Sequence, residues 1–152
     1  MKRKRLDEII RVDHAGEHGA IAIYKGQLSA LNLIGDKKTS FIISEMAEGE
    51  KVHAKEFDRL VKDRKTRPTA LMPLWNLAGY TLGVMSVIGG RDSVMACTEA
   101  VEEIIDKHYS DQIEELESSG QEKDILKTIK KFHAEEVEHE KIAKNEISEN
   151  TP

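Results

Sequence analysis

Apolar residues recur every three or four positions along four long stretches of the chain. In the first, Leu6, Ile9, Ile10, Tyr24, Leu28 and Leu31 keep a helical period until Gly35-Asp36 breaks it, which predicts a helix over about 6–34. Ile43, Met46, Phe57 and Leu60 carry a second over about 40–66. Arg67-Pro68 closes it, because a residue before proline is driven out of the helical region. Val94, Ile105, Ile113 and Leu116 predict a third helix over about 91–117, ended by Ser118-Ser119-Gly120. Ile125, Ile129, Phe132 and Ala143 predict a fourth over about 121–147. No stretch alternates with a period of two, so the expected fold class is all-α, a four-helix bundle in a single domain over 1–152.

The stripes are interrupted in one consistent way. Stepping by three or four, the first helix reads Leu6, Ile10, Asp13, Glu17, Ile21, Tyr24, Leu28, and the second reads Ile43, Met46, Glu50, His53, Phe57, Leu60. The third gives Val94, Thr98, Glu102, Ile105, Tyr109, Ile113, and the fourth Ile125, Ile129, Phe132, Glu136, His139, Ala143. Each helix therefore carries a carboxylate where a leucine would be expected. An unpaired buried carboxylate costs several kcal/mol or takes up a proton, and four facing one another repel. A pair of metal ions resolves both difficulties. Glu50 and His53 form Glu-x-x-His, as do Glu136 and His139, and residues three apart share a helix face and can reach the same ion.

The Glu-x-x-His motif alone is common in a Glu-rich chain; the arrangement is not. Glu17 precedes Glu50 by 33 positions and Glu102 precedes Glu136 by 34, so each half of the chain is a hairpin of one lone-Glu helix and one Glu-x-x-His helix. This internal repeat predicts a pseudo-twofold site with Glu17, Glu50, His53, Glu102, Glu136 and His139 as metal ligands. Oxygen and imidazole donors without thiolate suit iron or manganese rather than structural zinc. Asp13, one turn before Glu17, is expected to accept the outer N–H of a ligand imidazole, the usual support for metal-bound histidine. Tyr109, seven positions after Glu102, is expected to pack in the core, with a hydrogen-bonding role near the metal centre as the alternative. His14, His18, His108 and His133 lack matched partners and are assigned to the surface or to the periphery of the site. The remaining glutamates, Glu135 among them, fall off the apolar stripes and are expected on solvated faces.

Composition changes this picture at one place. Of the 152 residues 34% are charged and the formal net charge is −5, which gives no basic face for nucleic acid. Yet Pro68 to Gly90 contains no charged residue at all. A single cysteine, Cys97, excludes an internal disulfide and multi-cysteine metal sites and suits a reducing compartment. There is neither an export signal nor a dinucleotide fingerprint.

Several strings resemble the demethoxyubiquinone hydroxylase family. They are Arg11-Val12-Asp13-His14-Ala15-Gly16-Glu17, Arg67-Pro68-Thr69 with Leu71-Met72-Pro73-Leu74-Trp75-Asn76, Ala96-Cys97-Thr98 with Ala100-Val101-Glu102-Glu103, and Glu135-Glu136-Val137-Glu138-His139. The resemblance extends from about Ile10 to Ala143. It implies a ferritin-like di-iron carboxylate bundle whose iron ligands fall on the same six residues. It also implies a monooxygenase that hydroxylates the ring of a polyprenylated demethoxyquinone with O2 and an external reductant derived from NADH, manganese being a substitute metal in vitro. The implied partners are a lipid-soluble quinone, a membrane surface, and a reductase or other quinone-biosynthesis proteins, with a homodimer left open. The expected location is peripheral, on the cytoplasmic side of a bacterial inner membrane or the matrix side of a mitochondrial one. Family members continue past the fourth ligand helix into a further apolar segment, whereas this sequence stops at Asn150-Thr151-Pro152, which implies weaker membrane attachment.

Two other function classes share parts of the pattern. A ferritin-like or erythrin-like protein that oxidises iron or removes peroxide would need the same six ligands but no long uncharged segment. A metal-free interaction bundle would leave the four core carboxylates unexplained. The uncharged segment links the two hairpins, so a true membrane span would put the two halves of the site on opposite sides. It is therefore expected to lie in one leaflet or over the bundle, with Leu71, Leu74, Trp75, Leu77, Tyr80 and Leu82 dipping below the headgroups and Arg59, Lys62, Arg64, Lys65 and Arg67 near them.

Overall fold

The computed structural model describes residues 1–148; residues 149–152, with the Asn150-Thr151-Pro152 end, lie outside the described residues. Five helices follow one another: α1 (Arg3–Ile34), α2 (Lys37–Asp63), α3 (Met72–Ile88), α4 (Arg91–Ser119) and α5 (Lys123–Ser148). No strand occurs among the described residues. α1 and α2 form one antiparallel hairpin and α4 and α5 the other, with α3 laid along α1 and touching α4.

The helix boundaries shift from the apolar pattern for local reasons. α1 starts three residues before Leu6, since Arg3-Lys4-Arg5 are good helix formers and Arg5 is held by a two-pronged contact to Glu115 at 2.8–3.1 Å. At the first turn Gly35 takes the left-handed conformation (φ 78°) and the Asp36 side chain accepts from the Thr39 N–H at 3.0 Å, capping α2. α2 ends at Asp63, short of residue 66, because Lys65 turns to φ 54°. α5 starts at Lys123 rather than 121 for the same reason at Glu122, φ 55°. The uncharged stretch is helical only from Met72, with Pro73 in the first turn, where a missing N–H costs nothing.

Leu6, Ile10, Ile43, Phe57, Leu60, Ile105, Leu116, Ile125, Ile129 and Phe132 from the four predicted stripes join in a single apolar core. α3 is built differently. Its buried residues are Gly79, Gly83, Ser86 and Val87, and its bulky ones face outward. Gly79 and Gly83, four apart, let its backbone lie directly on α1. A Cβ at Gly83 would sit 2.0 Å from the Ile23 carbonyl oxygen, and one at Gly26 would sit 2.1 Å from that of Tyr80. Gly83→Ala is therefore expected to push α3 off α1 and lower stability by about 1–3 kcal/mol in urea titration. Gly16→Ala, where a Cβ meets nothing within 4 Å, should instead stabilise by up to about 1 kcal/mol through helix propensity.

Candidate metal centre

The core stripes of α1, α2, α4 and α5 bring Glu17, Glu50, His53, Glu102, Glu136 and His139 together at the centre of the bundle. Their carboxylates and the His53 ring are buried, and His139 is slightly open. The ligand atoms fall into two groups, Glu17–Glu50–His53–Glu136 and Glu50–Glu102–Glu136–His139, with all atoms in each within 4.8 Å of one another. Glu50 and Glu136 belong to both. The two Glu-x-x-His glutamates thus lie between the groups, and Glu17 and Glu102 each belong to one.

The imidazoles face inward through Nδ1. His53 Nδ1 lies 2.9 Å from Glu136, 3.4 Å from Glu50 and 3.6 Å from Glu17. His139 Nδ1 lies 3.1 Å from Glu50, 3.8 Å from Glu102 and 3.9 Å from Glu136. Six buried polar atoms here have no hydrogen-bond partner: Glu17 Oε2, Glu50 Oε2, His53 Nδ1, Glu102 Oε2 and both carboxylate oxygens of Glu136. Buried polar groups are almost always satisfied, so such a concentration of orphaned acceptors fits a cationic guest. The donor set, four carboxylates and two imidazoles, could hold two ions that accept mixed oxygen and nitrogen ligation.

Protons carry the missing positive charge when no metal does so. Burial raises the Glu17 carboxyl well above the usual range, and burial with the neighbouring Glu102 pushes Glu136 up to about 12. Burial works to lower both imidazoles, but the surrounding carboxylates win; they hold His53 well above its ordinary value and raise His139 to about 10. Burial also works against ionisation of Glu50, yet the His139 hydrogen bond and the facing His53 imidazole keep it well below the usual carboxylate range. Since metal ligands must be deprotonated, filling this site expels protons.

Tyr109 donates its Oη–H to Glu17 Oε1, and Tyr24 donates to Glu102 Oε1. Tyr109 therefore combines core packing with a hydrogen bond to Glu17 across the bundle. Tyr24 makes the symmetric contact, and its signal was present in the sequence: it follows Glu17 by seven positions, as Tyr109 follows Glu102. Asp13 receives no ligand imidazole; its Oδ1 accepts from Gln112 Nε2 at 2.7 Å. The outer nitrogen of His53 instead meets Glu135 Oε2 at 2.5 Å, a residue expected on a solvated face and in fact half-exposed. The helical offset from Glu136 turns Glu135 toward the flank of α2 while its stem stays outside. His133 pairs with Asp106 at 2.8 Å. Of the two places expected for His14, the surface is excluded: it is buried, since α2 covers that flank of α1.

Burial pushes the Asp13 carboxyl up to about 8, although the Gln112 hydrogen bond works the other way. A carboxyl with a raised folded-state pKa favours the fold below its unfolded value near 4 and loses that contribution as the pH climbs toward 8. Metal-free protein is thus expected to melt several degrees lower at pH 8 than at pH 5. Asp13→Asn should flatten that decline, as read by thermal unfolding at the two pH values.

An apolar cavity of about 610 Å3 opens between α1, α3 and α4. Ala20 and Ile105, each one turn beyond Glu17 and Glu102, form its inner end, and Leu71, Trp75 and Leu82 its mouth. Leu74, Leu77 and Tyr80 face solvent beside it, and none of these six side chains is less than 40% exposed. Trp75 Nε1 donates to the Ala15 carbonyl at 2.9 Å and so pins the start of α3 over α1. The basic run before α3 is partly consumed: Arg59 pairs with Glu56 and Asp63, and Arg64 with Glu122 at 2.9 Å. Among the described residues no helix is long and apolar enough to cross a membrane.

Fold and site together define an all-α protein with a buried carboxylate–imidazole cluster fit to hold metal. Residues 4–152 match the family described as "Ubiquinone biosynthesis protein COQ7", and the chain belongs to that family. It is 44% identical over 153 residues to a mitochondrial NADPH-dependent 3-demethoxyubiquinone 3-hydroxylase of Dictyostelium discoideum, covering all of this chain and 69% of the relative. It is also 44% identical over 154 residues to the Homo sapiens enzyme of that name, covering 70% of it. A 3-demethoxyubiquinol 3-hydroxylase of Rhodospirillum rubrum is 45% identical over 138 residues, 90% of this chain and 63% of the relative.

Proposed function

We propose that the protein is a di-iron monooxygenase that hydroxylates the ring of a polyprenylated demethoxyubiquinone or its quinol in ubiquinone biosynthesis. One observation carries the reading: the two ligand groups that share Glu50 and Glu136 lie one helical turn from the inner end of an apolar cavity. A ferritin-like iron or peroxide scavenger needs the first feature and has no use for the second. Iron bound at the six ligands supplies the redox chemistry that activates O2, drawing electrons from an external NADH- or NADPH-derived donor.

The chain's own residues do the rest. Glu50 and Glu136 would be shared by the two metal positions, while the Tyr24 and Tyr109 hydroxyls fix the carboxylates of Glu102 and Glu17. The walls of the cavity, Ile23, Val101 and Ile104 among them, exclude water and orient an apolar ring. The mouth lies against α3, whose small residues face the bundle and whose large apolar residues face outward, the reverse of a core helix. That inversion supports a peripheral seat in one leaflet, from which the prenyl tail trails past Leu71, Trp75 and Leu82. The corresponding location is the cytoplasmic side of a bacterial inner membrane or the matrix side of a mitochondrial one, with a reductase or a biosynthetic partner docking from the aqueous side.

The test is anaerobic loading with ferrous iron followed by a single turnover with a short-tail demethoxyquinol and 18O-labelled O2. The expected product is the hydroxylated ring with one labelled oxygen, read by mass spectrometry. Iron oxidation with the quinol unchanged would sink the hydroxylase reading in favour of iron oxidation.

A further inference from the structure

Outside the central cluster a second set of donors converges on the α1–α2 hairpin. His14 and His18 lie four apart on one face of α1, and both present Nε2 to the same oxygen, Oδ1 of Asp58 on α2, each at 2.8 Å. Their ring centroids are 4.6 Å apart, and the three ligand atoms lie within 4.8 Å of one another. Two imidazoles at i and i+4 on a helix are a common pair of transition-metal donors, and a carboxylate from a neighbouring helix completes three of the four positions such a metal takes.

The environment suits a cation that arrives from outside. The His14 ring is buried, the His18 side chain is 28% exposed and that of Asp58 53%, so the trio has a fixed inner wall and an open outer side for a water ligand. Burial holds His14 below its ordinary pKa, which leaves a lone pair for a metal at neutral pH.

The internal repeat offers a control within the same chain. Relative to the lone glutamates, His14 and His18 correspond to Glu99 and Glu103, and relative to the Glu-x-x-His histidines, Asp58 corresponds to Lys144. In the α4–α5 hairpin the equivalent spot thus holds its own covalent cation, with Lys144 Nζ 3.7 Å from Glu99. In α1–α2 the same spot holds three donors and only protons to neutralise them.

We propose that His14, His18 and Asp58 form a second, solvent-facing metal site for a borderline divalent transition ion such as Zn2+, distinct from the central cluster and sharing no residue with it. The ion would join α1 to α2 as Lys144 helps join α4 to α5, and it would keep one coordination position open to water.

Zinc is added to the full chain after anaerobic loading with ferrous iron, and metals are counted after desalting. One zinc per chain is expected with iron content unchanged. His18→Gln and Asp58→Asn, both at partly exposed positions, should each abolish the zinc while helicity by circular dichroism and iron content stay at wild-type values. Cobalt(II) in the unsubstituted protein gives an independent readout, with visible bands of a nitrogen–oxygen site expected at one added equivalent. Zinc absent from the wild type, zinc gained only as iron is lost, or zinc retained in both variants overturns the proposal. The trio would then be a hydrogen-bonded clamp between two helices.

Discussion

Anaerobic loading with ferrous iron should raise the midpoint of thermal unfolding by about 10 °C. A ligand that binds only the folded state, present at a thousand times its dissociation constant, contributes ~4 kcal/mol, and a chain of this length gains roughly 2–4 °C per kcal/mol. The size of the effect follows from what the metal-free core must tolerate: six orphaned polar atoms and four carboxylates neutralised only by protons on Glu17, Glu136, His53 and His139. The same loading should acidify a weakly buffered solution as those protons leave, which an indicator dye can follow. Magnesium, which prefers oxygen ligands and keeps its waters, should reproduce neither change. An unchanged midpoint with iron, at a concentration where iron is retained on desalting, would contradict this account of the core.

Glu50→Ala and Glu136→Ala should be the most damaging single substitutions for turnover. Because Glu50 belongs to both ligand groups, its loss weakens both positions at once, whereas Glu102→Ala touches only one. Expected losses are about a thousandfold in single-turnover hydroxylation for Glu50→Ala, equivalent to ~4 kcal/mol, with metal content falling below one ion per chain. Tyr109→Phe is the contrasting variant: it removes a hydrogen bond to Glu17 but no ligand, so metal content should stay near wild type while the rate falls by no more than about tenfold. Equal metal retention in Glu50→Ala and Tyr109→Phe would show that the shared role of Glu50 is mistaken.

The six residues of the cluster were readable because each breaks an apolar stripe at a helical interval, and because the Glu/Glu-x-x-His order occurs twice. Periodicity reports which face of a helix a residue occupies, and that is all a buried ligand needs. It does not report which partner helix covers the face. Asp13 therefore drew the expected role of imidazole acceptor but met Gln112, while Glu135, one position off the stripe, took the His53 contact. For the same reason His14 stayed open between surface and periphery, since only the packing of α2 decides that it is buried. For α3 the uncharged stretch and its apolar residues pointed to a place in one leaflet or over the bundle, but not to how the helix seats on α1. Its glycines gain their meaning from the backbone of α1, since Gly79 meets the Gly19 carbonyl and Gly83 that of Ile23.

Tyr24 and Tyr109 each finish their hydrogen bond on the opposite hairpin, and this bears on how the two halves fit. One hairpin carrying a glutamate, a tyrosine seven residues later and a Glu-x-x-His helix has donors and acceptors that match a rotated copy of itself. Two identical copies would satisfy both tyrosine–glutamate contacts by symmetry alone. The present chain has the form of two such hairpins on one polypeptide, joined through α3. Once the two halves sit on one polypeptide they need no longer be identical. Histidines and an aspartate in one half stand where glutamates and a lysine stand in the other, and both arrangements leave the shared centre intact.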